Sequence, residues 1–203
     1  TREIISAMTV YAILALFIFS VTLDLRGTVA EVAAPGVLWS IITFTGMLGL
    51  SRSLVREHQT GGIEGLRLAP VDPTAIFFGK ASGVMILMLL VEWVLLLLTT
   101  VFLNLPLLSV NIVITLILGT VGYASVGTLL SAIAVNTRAR EVMLPILLLP
   151  VTFPLFLAAV QTTRGFLEGA TWAGLGVWTQ ILIVYDLVIV AISMVLFRYT
   201  LEE

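Results

Sequence analysis

Cysteine is absent from the 203 residues, histidine occurs once, and only 11% of the side chains carry charge. The chain therefore builds no disulfide, no thiolate metal site and no CxxCH cofactor attachment. The lone histidine, His58, has no partner histidine and sits in a polar stretch, so a solvated or partner-contact role fits it better than metal ligation. No GxxxxGK[ST] loop occurs: Gly79-Lys80 is followed by Ala81, and Thr74 stands where the first glycine would be. Without that phosphate cradle, any nucleotide chemistry falls to a partner. A basic face interleaved with aromatics is also missing, which argues against nucleic acid as a partner. A cleavable signal peptide is not expected, because the first apolar run is too long and lacks a small-residue cleavage site. The chain opens at Thr1 without a methionine, which we read as trimming.

What remains is apolar: 60% of the residues are hydrophobic. Runs of about eighteen or more such residues, each enough to cross a hydrocarbon core, recur along the chain. They predict an all-α integral membrane protein, a single transmembrane domain over 1–203. Six spans are expected at about 4–23, 35–50, 81–103, 107–135, 142–160 and 176–197. Pro35 suits the first turn of the second span, where its missing N–H costs nothing. Asn104-Leu105-Pro106 reads as a tight turn, and Gln161 to Leu175 as a polar, glycine-rich connection.

Between the second and third spans lies the only long polar stretch, Ser51 to Lys80. It is too short for a domain of its own, but long enough for one or two short helices along the bilayer surface. We read it as a docking element for a soluble partner. Six spans place both termini on one side. Eight of the ten basic residues (Arg2, Arg52, Arg56, Arg67, Lys80, Arg138, Arg140 and Arg198) share that side, against Arg26 and Arg164 opposite. The positive-inside rule makes the shared side cytoplasmic. Trp39, Trp172 and Trp178 are then expected near the outer interface as an aromatic belt.

Three features inside the spans could carry function. The fourth span has Thr120, Ala124, Thr128 and Ala132 at fourfold spacing, amid Gly119, Gly122, Ser125, Gly127 and Ser131. Small residues let helix backbones approach closely in lipid, so this face is either a subunit interface along a transport path or ordinary packing within the chain. The fifth span contains Pro145, Pro150 and Pro154. Each removes a donor and clashes one turn back, giving either a helix break near a polar pathway or a kink. Glu92 lies mid-span, and Asp186 sits well inside the sixth span beside Tyr185. A carboxyl at such depth costs about 2.5–3.5 kcal/mol, so it faces protein or water. It marks either a pathway or a protonated acid bonded to a neighbouring helix.

The segment EHQTGGIEGLRLAPVDPTAIFFGK, from Glu57 to Lys80, resembles the E-x-x-x-G-(x)-(L/I)-E-x-L-x-L-A-P segment of the CcmB family. The likeness extends to APGVLW at Ala34 to Trp39, GLSRS at Gly49 to Ser53, and RAREVMLPILLLPVTFPLFLAA at Arg138 to Ala159. It continues in Tyr185-Asp186 and the closing FRYTLEE. The family normally has an amphipathic segment upstream of the first span, which this chain does not show. Gly62 stands where the family often has Thr or Ala.

The resemblance implies a non-catalytic permease subunit of an ABC haem exporter in cytochrome c maturation, resident in the inner membrane with both termini cytoplasmic. It implies a homodimer that binds the ATPase subunit CcmA and associates with CcmC and CcmD. ATP would be bound by the partner and haem would be a substrate, with no cofactor or metal held by this chain alone. A cytoplasmic coupling helix between spans two and three would enter a groove on the ATPase. In this sequence it falls on Arg56, Glu57, Gly61, Gly62, Ile63, Glu64, Leu66 and Leu68. ATP hydrolysis would then drive either haem translocation between subunits or release of a haem-loaded chaperone. The alternative is a permease subunit of another ABC exporter, for lipid, polysaccharide or drug.

Overall fold

The computed structural model describes residues 2–25, 27–59, 71–135 and 140–202. Among these, the regular elements are six long α-helices, α1 (Arg2–Thr22), α2 (Gly27–Gln59), α3 (Pro73–Leu103), α4 (Val110–Val135), α5 (Arg140–Leu167) and α6 (Gly176–Glu202). All six are long and apolar enough to cross a membrane. In lipid, a helix satisfies its backbone groups internally, which is why apolar sequence of this length takes that form.

Local chemistry sets the helix ends. Asp72 caps α3 by accepting the Thr74 N–H at 2.7 Å, with Pro73 in the first turn. Hydrogen bonding to the Thr74 backbone and hydroxyl, with a smaller contribution from nearby Arg198, holds the Asp72 carboxyl below the usual aspartate range. At the far end, Asn104 takes a left-handed conformation (φ 52°) and closes α3. The turn predicted there is present, but α4 starts at Val110 rather than near Leu107. The Ser109 hydroxyl accepts the Ile112 N–H at the new helix start. Helix α5 ends in a Schellman turn: Ala170 N–H bonds Gly165 O at 2.8 Å around Gly169 (φ 83°).

Several boundaries differ from the sequence expectation. Helix α2 starts at Gly27, so Pro35 lies inside it and not in its first turn. At 33 residues α2 is about 50 Å long, well beyond the roughly 30 Å of a hydrocarbon core. Its last turns take in residues 51–59 of the polar stretch, and residues 73–80 form the first turns of α3. The flanks of that stretch are thus continuations of the spans. The expected loop from Gln161 is helical as far as Leu167, because Gly169 is the first residue that stops the helix.

Helix α4 is the axis of the bundle. Of its span 72% is buried, against 22% for α1 and for α6, and it packs on α2, α3, α5 and α6. Its composition explains this position, since small residues alternate with aliphatics on every side and no polar stripe faces outward. At Gly119 a Cβ would run into the Trp39 ring of α2, and at Gly122 into Asp186 of α6 and Leu155 of α5. Gly119 and Gly122 are therefore packed within the chain, against three different neighbours.

Candidate functional site

The structure places the intramembrane acids in two separate seams around α4. Glu92 projects from α3 and is only 3% exposed. Its Oε2 accepts a hydrogen bond from Thr120 Oγ1 at 2.7 Å, while Oε1 has no protein partner. Thr120 Oγ1 also stands 2.8 Å from Leu116 O, so one hydroxyl hydrogen serves two acceptors. Asp186 projects from α6 and is 7% exposed, with neither carboxyl oxygen bonded to protein. It abuts Gly122. Thr120 and Gly122 are two positions apart on α4, about 200° around the helix. The two acids therefore lie on opposite faces of α4, and the chain does not bring them to a common path.

Tyr185, next to Asp186, turns elsewhere. Its hydroxyl donates to Val151 O at 2.8 Å, within the proline-rich part of α5. That helix is unbroken from Arg140 to Leu167 with all three prolines inside it, so Pro145, Pro150 and Pro154 do not produce the helix break that the sequence admitted. Pro150 and Pro154 are exposed on the outer face, away from the bundle interior. Side chains also bond carbonyls in this part of the helix: besides Tyr185, Thr152 Oγ1 donates to Leu148 O at 2.8 Å.

Two further polar links tie α2 into the bundle. Tyr123 Oη of α4 donates to Thr43 O at 2.7 Å. Trp39 Nε1 donates to Thr163 Oγ1 of α5 at 2.9 Å, and the Thr163 hydroxyl passes its own hydrogen to Ala159 O. Trp39 is 4% exposed, so its ring is packed inside the bundle. Trp172 is half-buried, donates to Asn111 Oδ1 at 3.0 Å, and stacks edge-on against Phe166. Sequence reasoning singled out neither Thr120 as the partner of Glu92 nor the Tyr123 and Trp39 links. The available signal was the presence of polar groups inside apolar runs, each of which must find a partner on another helix.

Of the residues assigned to the coupling segment, Arg56 and Glu57 lie in the last turns of α2. Gly61, Gly62, Ile63, Glu64, Leu66 and Leu68 fall outside the described residues.

These features define a class: a multi-pass helical membrane protein whose intramembrane polar groups are spent on helix seams. Comparison with protein families is specific. The family described as CcmB protein matches residues 1–201. The chain belongs to that family, the membrane component of the haem exporter of cytochrome c maturation. No curated protein matches it.

Proposed function

We propose that this chain is the energy-coupling permease subunit of the exporter and that it does not itself conduct haem. A partner ATPase of the CcmA type docks on the polar stretch between Ser51 and Lys80, through the segment from Arg56 to Leu68, on the cytoplasmic side of the inner membrane. Hydrolysis there moves that segment, and the movement drives release of a haem-loaded chaperone from the membrane complex with CcmC and CcmD. Haem is the cargo of the complex, and ATP is bound by the partner. In this reading a dimer of the chain presents two such segments to two ATPase subunits.

The observation that carries this reading is the placement of Glu92 and Asp186, buried on opposite faces of α4. A conduit for an amphipathic cargo needs polar groups along one connected wall. Here the acids face separate seams, and the proline-rich helix turns Pro150 and Pro154 outward. The same geometry supplies a transmission route. Helices α2 and α3 flank the docking segment, and both are bonded to the central helix. Tyr123 holds α2 through Thr43 O, and Thr120 holds α3 through Glu92. A shift of the segment thus reaches α4 through two buried hydrogen bonds. Coupling energies between linked sites are typically about 1–3 kcal/mol, within reach of such contacts.

The test uses the reconstituted complex with haem-loaded chaperone. Glu64→Arg, which reverses charge within the docking segment, should abolish chaperone-stimulated ATP hydrolysis or dissociate the ATPase. Glu92→Gln and Asp186→Asn should leave chaperone release intact. Unchanged hydrolysis and assembly in Glu64→Arg would refute docking through this segment. Loss of release in both acid variants, with hydrolysis retained, would restore conduction through the chain.

A further inference from the structure

The seam between α1, α2 and α3 contains a small cavity with Met8, Thr45, Gly46, Met88 and Glu92 in its wall. All five residues are buried. Two of them bring polar atoms without a protein partner: Glu92 Oε1 and Thr45 Oγ1. Thr45 behaves unlike most threonines of the bundle. Thr43, Thr99, Thr100, Thr115, Thr152 and Thr163 each donate to the carbonyl four residues back. Thr45 makes no such bond, and its hydroxyl remains available at the cavity.

We propose that this cavity holds one ordered water molecule, which donates to Glu92 Oε1 and accepts from Thr45 Oγ1. The space for a water centre is about 10 Å³, at the lower limit for a single molecule and too small for a cluster. A hard metal cation would ask for six or more oxygen ligands, whereas the unpartnered side-chain oxygens at this wall number two. Water fits the chemistry of both orphans, since it donates to a carboxyl oxygen and accepts from a hydroxyl. It also completes Glu92, whose other oxygen shares the single Thr120 hydrogen with Leu116 O. Gly46 lets Met88 and Tyr123 close on α2 beside the cavity, because a Cβ there would come within 2.7 Å of Met88 Cε and 2.6 Å of Tyr123 Cε1.

The two methionines make the water detectable. Met8 and Met88 are 1% and 2% exposed, so radicals from bulk solvent do not reach them. Radicals generated by X-ray radiolysis of a water in the cavity would oxidise them in place. The full chain in lipid nanodiscs is exposed to a synchrotron beam and oxidation is read per methionine by mass spectrometry, with Met194 as the comparator. Met194 is less buried and packs against the separate cluster around Phe77 and Phe197. Met8 or Met88 should oxidise several-fold faster than Met194, taking up ¹⁸O from labelled water. Thr45→Val, which removes the hydroxyl at nearly constant volume, should lose that excess. Should Thr45→Val fail to fold, Thr45→Ala is read instead, and it should lose the same excess because it removes the same hydroxyl without added bulk. Oxidation of Met8 and Met88 no faster than Met194 in the wild type overturns the proposal. So does an excess that survives in the variant.

Discussion

Replacing Gly119 by alanine tests the packing of the central helix directly. In an undisturbed helix the change is favourable by about 1 kcal/mol, because alanine gives up less backbone freedom than glycine. Here the new methyl would meet the Trp39 ring, with Cζ3 only 2.6 Å away, where carbon atoms pack at about 3.5–4.0 Å. The ring must therefore move by about an ångström. It cannot do so freely, because Trp39 is buried and its Nε1 is held at 2.9 Å from Thr163 Oγ1. Overpacking of this kind costs about 1–3 kcal/mol, and an interhelical hydrogen bond in a membrane adds about 0.6 kcal/mol when lost. The balance is a net destabilisation of about 1–2 kcal/mol. Equilibrium unfolding in mixed micelles measures it, for Gly119→Ala, Trp39→Leu and the double variant. The two single costs should fail to add, with a coupling of about 0.5–3 kcal/mol, because the smaller side chain vacates the space that the methyl needs. If Gly119→Ala is stabilising by the full propensity gain, or if the costs add, the α2–α4 contact is not as close as described.

Tyr123→Phe removes the buried bond to Thr43 O and should destabilise the chain by about 0.6–1.7 kcal/mol in the same unfolding assay, the range found for interhelical bonds in lipid. Tyr185→Phe breaks a bond at a half-buried position, so its effect on unfolding should be smaller than that of Tyr123→Phe. Gly122→Ala should weaken the α4–α6 seam by forcing Asp186 and Leu155 aside, and Asp186→Ala in the same chain should relieve part of that cost. Asp72 gives a pH dependence. Its folded-state carboxyl is held below its unfolded value, so its contribution to stability is complete above the ordinary aspartate range and falls away as pH drops through the lowered value. Asp72→Ala should flatten that part of the acid unfolding curve, whereas an unchanged curve would show that the cap contributes nothing.

The six helices were legible because each demands a long apolar run, and hydropathy reads that directly. Their limits were less so. Pro35 looked like a helix start because proline favours the first turn, yet the preceding residues Gly27 to Ala34 are helical and packed, with Ala30 and Ala34 fully buried. The first part of the connection predicted from Gln161 is helix, since Thr162 and Thr163 are buried and Thr163 bonds back along the chain. At the candidate site, Glu92 and Asp186 could be identified as buried acids because charge is rare in a span. Their partners could not, because a residue's neighbours depend on how each helix is rotated and tilted against the others. The prolines of α5 show the same limit: the sequence admits both a break and a kink, and the helix runs unbroken through all three.

That dependence on rotation also separates conduction from coupling. A helix with small residues on every side can serve as a wall of a channel or as an axle for its neighbours. An axle needs different partners at different angles, and α4 has them: Trp39 at Gly119, Glu92 at Thr120, Asp186 at Gly122 and Thr43 at Tyr123. A channel wall would present its polar groups at one angle and leave the others to lipid. The most buried span is rich in small residues, and the polar groups around it are divided among three seams. Motion imposed on α2 and α3 from the polar segment between them would therefore turn or shift α4 within its cage. Helices α5 and α6 would follow, because they pack on the same axis. A movement of this kind would change the outer surface of the bundle without requiring an opening through its middle.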